Sequence, residues 1–176
     1  THRANSENEL INMLGREIVS NNKIINHDCF DNENLILFGK TKDGTPIWLN
    51  KTWIESDVRI TCGFVEPHFF AGFSGGPKMV APGLAGFDTI MALHNAERIG
   101  SSKAVWGITN GNPVHDTVRE ISKITGVDFS IDVTINKNRE ITSVFAGNLF
   151  KAHNAACETS KRIVMRPVQN EYDIVI

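Results

Sequence analysis

The sequence predicts an α/β domain in which a mixed sheet is flanked by helices. Helical and strand-like periodicities alternate along the chain, two strand pairs are joined by short turn-forming connectors, and no repeat or low-complexity segment interrupts them. Alternation of this kind packs helices on a sheet, and the two hairpins exclude a purely parallel one. With 176 residues, 41% apolar and 22% charged, the composition is that of an ordinary globular domain.

Each element has a local reason. Ser6 and Glu9 form an S-x-x-E capping box ahead of Leu10, Ile11, Leu14 and Ile18, which predicts a helix over about Glu7–Ser20. "NLILFGK" and "TPIWLN" flank "TKDG", a hairpin whose turn is supplied by Asp43-Gly44. "DVRITCGFV" reads as a buried strand that runs into a long glycine-rich segment. "GFDTIMALHNAERIG" carries Phe87, Ile90, Met91, Leu93 and His94 at helical offsets and stops at Gly100. "NPVHDTVREISKITG" has Asn112 as cap, Pro113 at the first helical position and Gly126 as its end. "VDFSIDVTIN" and "EITSVFAG" alternate in period two around "NKNR", a second hairpin, followed by a helix over "NLFKAHNAACETSKRI" and a strand over "YDIVI". The chain opens on Thr1 and closes within that apolar strand, so residues 1–176 are expected to be one α/β domain, or a domain fragment, of a longer two-domain protein.

A formal net charge of −2 supplies neither a basic field for nucleic acid nor a polybasic patch for a membrane. No apolar run approaches the roughly 20 residues that span a bilayer. Cys29, Cys62 and Cys157 form no CxxC pair and no zinc framework, which implies free, mostly buried thiols in a reducing, cytoplasmic setting.

The segment "GFVEPHFFAGFSGGPKMVAPGLAG", residues 63–86, is too long and too apolar for a mere turn. A phosphate-cradling P-loop fits poorly: Pro77 removes a backbone donor just before the lysine, and Met79 stands where a hydroxyl should hold magnesium. A second reading has Gly72, Gly75 and Gly76 clearing space for a flat ligand, with Lys78 projecting at it and able to form a covalent adduct. Against it stand a lysine that merely caps a helix or pairs with a carboxylate, and a phosphate- or metal-binding module that uses "SGGPK" as an anion nest. His68, directly after Pro67, and His94, on the apolar side of the next helix, favour a site. A purely structural domain would leave His68, Lys78 and His94 pointing to unrelated regions. His27, His115 and His153 sit in polar surroundings and are expected to be solvated or capping residues.

"EPHFFAGFSGGPKMVAPGLAG" followed by "MALHNAERIG", together with the opening "THR" and "GTPIWLNKTWIESD", resembles the lactate racemase family of nickel-dependent 2-hydroxy-acid racemases and epimerases. The resemblance implies a nickel-pincer nucleotide (nickel pyridinium-3,5-bisthiocarboxylic acid mononucleotide) tethered through a thioamide to Lys78. It implies that His94 ligates nickel, that His2 and His68 are the acid/base pair, and that Ser74, Gly75 and Gly76 let the backbone approach the cofactor. The reaction implied is racemisation of a small 2-hydroxy acid, lactate by default, by reversible hydride transfer. Dedicated enzymes assemble that cofactor in the family, so a chain made without them is expected to lack it. The family's substrate-carboxylate contacts lie in parts not present in this chain, which is therefore expected to be inactive in isolation. The chemistry suits the residues: nickel(II) accepts soft sulfur and one neutral imidazole whose other nitrogen is held by an acceptor. A thioamide nitrogen is uncharged and can sit beside Phe69, Phe70 and Phe73, and an imidazole can give and take a proton near neutrality.

Overall fold

The structure is a computed structural model that describes residues 3–168 and 170. Two short helices come first, α1 (Glu7–Leu14) and α2 (Arg16–Asn21), where the apolar spacing predicts one. The capping box is present, with Ser6 N–H donating to Glu9 Oε2 at 2.8 Å. The break falls at Gly15, whose φ of 86° leaves the helical region while its N–H still reaches Ile11 O.

The first hairpin forms as expected from β1 (Leu35–Lys40) and β2 (Pro46–Asn50), with Gly44 at φ 85° in the turn. Asn50 then caps α3 (Lys51–Glu55). β3 (Ile60–Phe64) is a strand, but not the buried one predicted: Ile60 and Phe64 are 52% and 45% exposed. Two-residue strands β4 (Pro67–His68) and β5 (Gly72–Phe73) pair antiparallel, and a 3-10 turn follows at Gly76–Met79.

The next predicted helix is also two, α4 (Phe87–Leu93) and α5 (Ala96–Ile99). His94 ends the first at φ −104°, ψ 19°, and the Asn95 side chain caps the second by accepting from Arg98 N–H. α6 (Pro113–Thr125) has the expected Asn112 cap and Gly126 stop. β6 (Phe129–Ile135) and β7 (Ile141–Gly147) form the second hairpin, and α7 (Leu149–Val164) completes the described elements. The strand expected over "YDIVI" lies outside the described residues.

The main sheet has the order β3-β6-β7, parallel between β3 and β6 and antiparallel between β6 and β7. The fold is therefore α/β with a mixed sheet and flanking helices. Its polarity is inverted. Thr61, Ser130, Asp132 and Thr134 lie buried toward α7 and the 3-10 turn, while Ile60, Phe64, Phe129 and Val144 stand out from the other face. The buried polar side chains are tolerated because they bond one another and the backbone: Thr61 Oγ1 donates to Ser130 Oγ at 3.0 Å, and Ser130 Oγ donates to Asp132 Oδ2 at 3.3 Å.

The glycine-rich segment 63–86 runs through the interior and contributes to three apolar clusters. Val80, Ala81 and Ala85 pack with Ile47, Leu49, Ile90, Leu93, Val118 and Ile121. Val65 and Phe73 pack with Ala156 and Cys157, and Phe70 and Ala71 with Ala104 and Val114. Burying such side chains stabilises the fold by about 1.5–3 kcal/mol each for the larger ones. What looked like a long loop is thus a central packing element, and the site it carries is mounted on the core.

Candidate functional site

The chain leaves β3 with Val65 N–H still bonded to Val133 O at 2.8 Å, then folds back on itself. Ser74 closes this lobe: its N–H donates to Glu66 O at 2.9 Å, and its hydroxyl accepts from Glu66 N–H at 3.0 Å. Asn112, fully buried, holds the tip by donating Nδ2–H to Phe70 O at 2.9 Å. Gly72 is required by close approach, since a Cβ there would lie 2.2 Å from Ile108 O.

Gly75 and Gly76 follow at φ 71° and 49°. Their Cβ directions point into protein rather than into ligand space. At Gly75 a Cβ would meet Val65 Cγ2 at 2.7 Å and Phe64 O at 2.9 Å, and at Gly76 it would meet the His153 ring at 2.4 Å. The Gly76 N–H donates to Asp132 Oδ1 at 2.9 Å, and Lys78 N–H closes the turn on Gly75 O at 3.1 Å. The concavity that could have cradled an external anion thus has a carboxylate of the chain itself bonded to it.

Lys78 leaves this turn half-buried, its Nζ 6.0 Å from the centre of the Phe70 ring. The same ring meets His68 edge-on at 4.6 Å and His94 edge-on at 5.2 Å. Phe70 is therefore the hub that the amine and both imidazoles share. Burial lowers the Lys78 amine to about 8, so it stays mostly charged at pH 7 but about a tenth of it is neutral there, far more than for an ordinary lysine. Burial, then the charges of Lys78 and His94, hold His68 down to about 4. His68 Nδ1 accepts from Ala71 N–H at 3.2 Å, which leaves the proton of the neutral ring on Nε2. His94 has the opposite tautomer. Its Nδ1 lies 2.7 Å from Ile90 O, which only accepts, so Nδ1 carries the proton and Nε2 offers a lone pair.

The sequence-predicted residues His68, Lys78 and His94 are thus brought together, with Ser74, Gly75 and Gly76 as the framework behind them. His2 lies outside the described residues. Two hollows of about 600 and 610 Å³ lie elsewhere: one lined by Val65, Pro67, Trp106 and Met165, the other by Arg3, His27, Phe30 and Met91, neither by His68, Lys78 or His94. Among the described residues no three His, Cys, Asp or Glu side chains converge as a metal-binding cluster. A metal at His94 Nε2 would have to bring its remaining donors with it.

The other histidines depart from expectation. His27 is half-buried, bonded through Nε2 to Ala85 O at 2.9 Å and through Nδ1 to Asn50 at 3.3 Å. His115 and His153 are not solvated: both are buried, their rings stacked at 5.6 Å. His153 Nε2 donates to Ser74 O at 2.9 Å, and burial keeps its ring neutral. Burial, aided by His153 and Arg119, lowers His115 to about 3. Burial and the charges of Asp132 and Glu158 push the Cys157 thiol up to about 12, making it inert. Cys29 is buried as well, whereas Cys62 is exposed. Asp132 and His153 are the residues behind the site that sequence reasoning missed, whereas Phe70, expected beside Lys78, is there as its neighbour. The stripe Leu149, His153, Ala156, Cys157 at helical spacing was the available signal for His153.

An α/β scaffold thus holds a desolvated amine and two imidazoles of opposite tautomer around one aromatic ring. Residues 1–107 match the lactate racemase N-terminal domain, and the chain belongs to the lactate racemase family. It is 37% identical over 166 residues to the lactate racemase of Lactiplantibacillus plantarum, covering 94% of this chain and 39% of that protein. It is 36% identical over 157 residues to the lactate racemase of Thermoanaerobacterium thermosaccharolyticum, covering 89% of this chain and 37% of that protein. The chain therefore spans well under half the length of these relatives. Its fold matches the lactate racemase apoprotein of T. thermosaccharolyticum with a TM-score of 0.88 at 36% identity, over 90% of this chain and 38% of that one. A Thermotoga maritima protein shares the fold alone, with a TM-score of 0.78 at 24% identity over 92% of this chain and 44% of that one.

Proposed function

We propose that this chain carries the cofactor-attachment and acid/base part of a nickel-dependent racemase or epimerase of a small 2-hydroxy acid, lactate by default. The observation that carries the reading is the convergence of His68, Lys78 and His94 on Phe70. A nickel-pincer nucleotide fits the residues present: burial makes the neutral form of the Lys78 amine, the form that attacks an activated carboxyl or thiocarboxyl carbon, more accessible than in an ordinary lysine, and His94 Nε2 offers one lone pair. When bound, such a group supplies the centre that takes and returns hydride.

The chain's own residues supply the rest. Ile90 O fixes the His94 tautomer, leaving the Nε2 lone pair available as a ligand. Once acylated, Lys78 bears no charge, and its position beside Phe70 then carries no ionic desolvation penalty. His68 can give its Nε2 proton to the substrate oxygen, and to take the hydroxyl proton at Nε2 it must first release the Ala71 N–H and carry its own proton on Nδ1. His2 is assigned the matching role on the opposite substrate face. Phe69, stacked on His68 at 4.8 Å and exposed, stands with Trp106 where it can limit water at that ring. The free thiols fit a cytoplasmic setting, and cofactor-assembling enzymes are the implied partners.

The test is to co-express the protein with cofactor-assembling enzymes and analyse the peptide containing Lys78 by mass spectrometry. An adduct with bound nickel, and interconversion of enantiopure lactate or another 2-hydroxy acid, are expected. His68→Ala should slow turnover by roughly two to four orders of magnitude, as loss of a general acid/base does. An unmodified Lys78 under those conditions, or His68→Ala activity within a factor of about two of wild type, refutes the reading.

A further inference from the structure

The Lys78 turn is gripped from behind by side chains of three different elements, each on a different backbone group. From α7, His153 Nε2–H donates to Ser74 O at 2.9 Å. From β6, Asp132 Oδ1 accepts from Gly76 N–H at 2.9 Å. From α6, Ser122 Oγ, which shares its one proton with Val118 O at 2.9 Å, also approaches Pro77 O at 3.2 Å. His153 and Asp132 are both fully buried, and neither is needed for the sheet ladder or for a helix cap.

The grip is also steric. The His153 ring fills the volume that a side chain at Gly76 would occupy, and Asp132 Oδ1 stands 3.0 Å from where a Cβ of Gly75 would be. Each anchor is in turn held. His115 stacks on the His153 ring at 5.6 Å, Cys157 Sγ lies 3.5 Å from its Nε2, and Ser130 Oγ donates to the second Asp132 oxygen at 3.3 Å. A buried carboxylate and a buried imidazole spend polar atoms on two backbone groups two residues apart and so share one effect on the turn. They fix the direction in which the next free side chain, Lys78, departs.

We propose that His153 and Asp132 are positioning residues for Lys78, holding Ser74 and Gly76 so that the amine stays beside Phe70 and within reach of His68 and His94. The inference rests on reading Lys78 as the attachment residue. Its role is geometric: neither side chain touches the reacting atoms, and both act through the turn.

The test reads Lys78 directly in the cofactor-free protein. Trace acylation with acetic anhydride across pH, followed by mass spectrometry, gives the acylation profile of Lys78, with exposed Lys42 and Lys151 as internal references. Wild type should show a Lys78 midpoint at about 8. His153→Leu and Asp132→Ala should release the turn and move the midpoint toward the ordinary lysine value of about 10.4, cutting relative acylation at pH 8 by about tenfold or more. His153→Gln and Asp132→Asn, which keep a donor and an acceptor, should restore the wild-type profile. Unchanged profiles in natively folded His153→Leu and Asp132→Ala overturn the proposal.

If those variants do not fold, two measurements on the unaltered protein decide it. Nitrogen-15 NMR should find the His153 proton on Nε2, and Gly76 N–H should exchange slowly with deuterium. A proton on Nδ1, or Gly76 exchange at the rate of a free peptide, overturns the proposal. None of these readouts uses cofactor or substrate, so they can fail while the racemase reading stands, and the reverse.

Discussion

Gly76→Ala is the perturbation whose magnitude the structure fixes best. At φ 49° the residue lies in the left-handed region, which costs an L residue about 1–2 kcal/mol. The new Cβ would also lie 2.4 Å from His153 Cδ2 and Cγ and 2.8 Å from its Cβ. Those atoms belong to a buried, stacked ring on a long helix that cannot retreat freely, so overpacking adds about 1–3 kcal/mol. The sum, about 2–5 kcal/mol, is a large share of the roughly 5–15 kcal/mol that stabilises a domain. At this chain length it corresponds to a melting temperature lower by roughly 4–20 °C. Gly44→Ala is the matched control: its φ is 85°, but nothing lies within 4 Å of the added Cβ, so it should show the backbone cost alone. Urea denaturation of the two variants then isolates the ring contact as their difference, about 1–3 kcal/mol. Equal destabilisation, within about 0.5 kcal/mol, would mean that His153 does not fill the space behind Gly76.

Thr89, fully buried, donates Oγ1–H to Pro46 O at 2.8 Å and accepts from Trp48 N–H at 2.9 Å, tying α4 to the first hairpin. Thr89→Val should therefore destabilise by about 1–3 kcal/mol in urea, with Thr89→Ser much milder, and a neutral Thr89→Val would remove that tie. His68 should titrate by NMR at about 4 in the unmodified protein, and Lys78→Met should raise that value by deleting a neighbouring cation. No response would separate the two side chains. Because the folded ring refuses a proton that the unfolded chain accepts near 6.5, the His68 contribution to stability is complete above about 6.5 and declines as pH falls toward about 4.

What the sequence disclosed was local. The Ser6–Glu9 box, the Asp43-Gly44 turn and the Asn112-Pro113 to Gly126 helix were legible because each depends on neighbours a few residues away. Gly15 and His94 split predicted helices because apolar periodicity continues across a break that backbone geometry imposes. Asn95, a good cap for the helix after it, was the readable sign at the second. Period two identified β6 as a strand but could not say that its polar side is the buried one. Asp132 is buried because it meets Gly76, 56 positions away in sequence. His115 and His153 were misjudged from flanking polar residues, although the helix period sets His153 on the stripe with Leu149, Ala156 and Cys157. The glycine-rich segment with its lysine and histidines already pointed to His68, Lys78 and His94, but their roles were readable only through the family motif, since nothing local places three such side chains around Phe70.

The glycine pair decides what kind of site this is. Two positive-φ residues ahead of a turn create a concavity of backbone donors, the usual prelude to phosphate binding. Here Gly76 N–H is already bonded to Asp132, Pro77 has no N–H, and Lys78 N–H closes on Gly75 O. A phosphate entering the concavity would have to displace a buried carboxylate whose other oxygen is held by Ser130. The same geometry makes the turn rigid, and rigidity is of little use to an anion site whose donors are spent. It is of direct use to a side chain that must stay in one place while its charge is suppressed by burial. The bend that resembles a phosphate cradle is therefore a rigid mount for the Lys78 amine, and this supports placing the proposed chemistry at Lys78 and the imidazoles beside it rather than at the glycines.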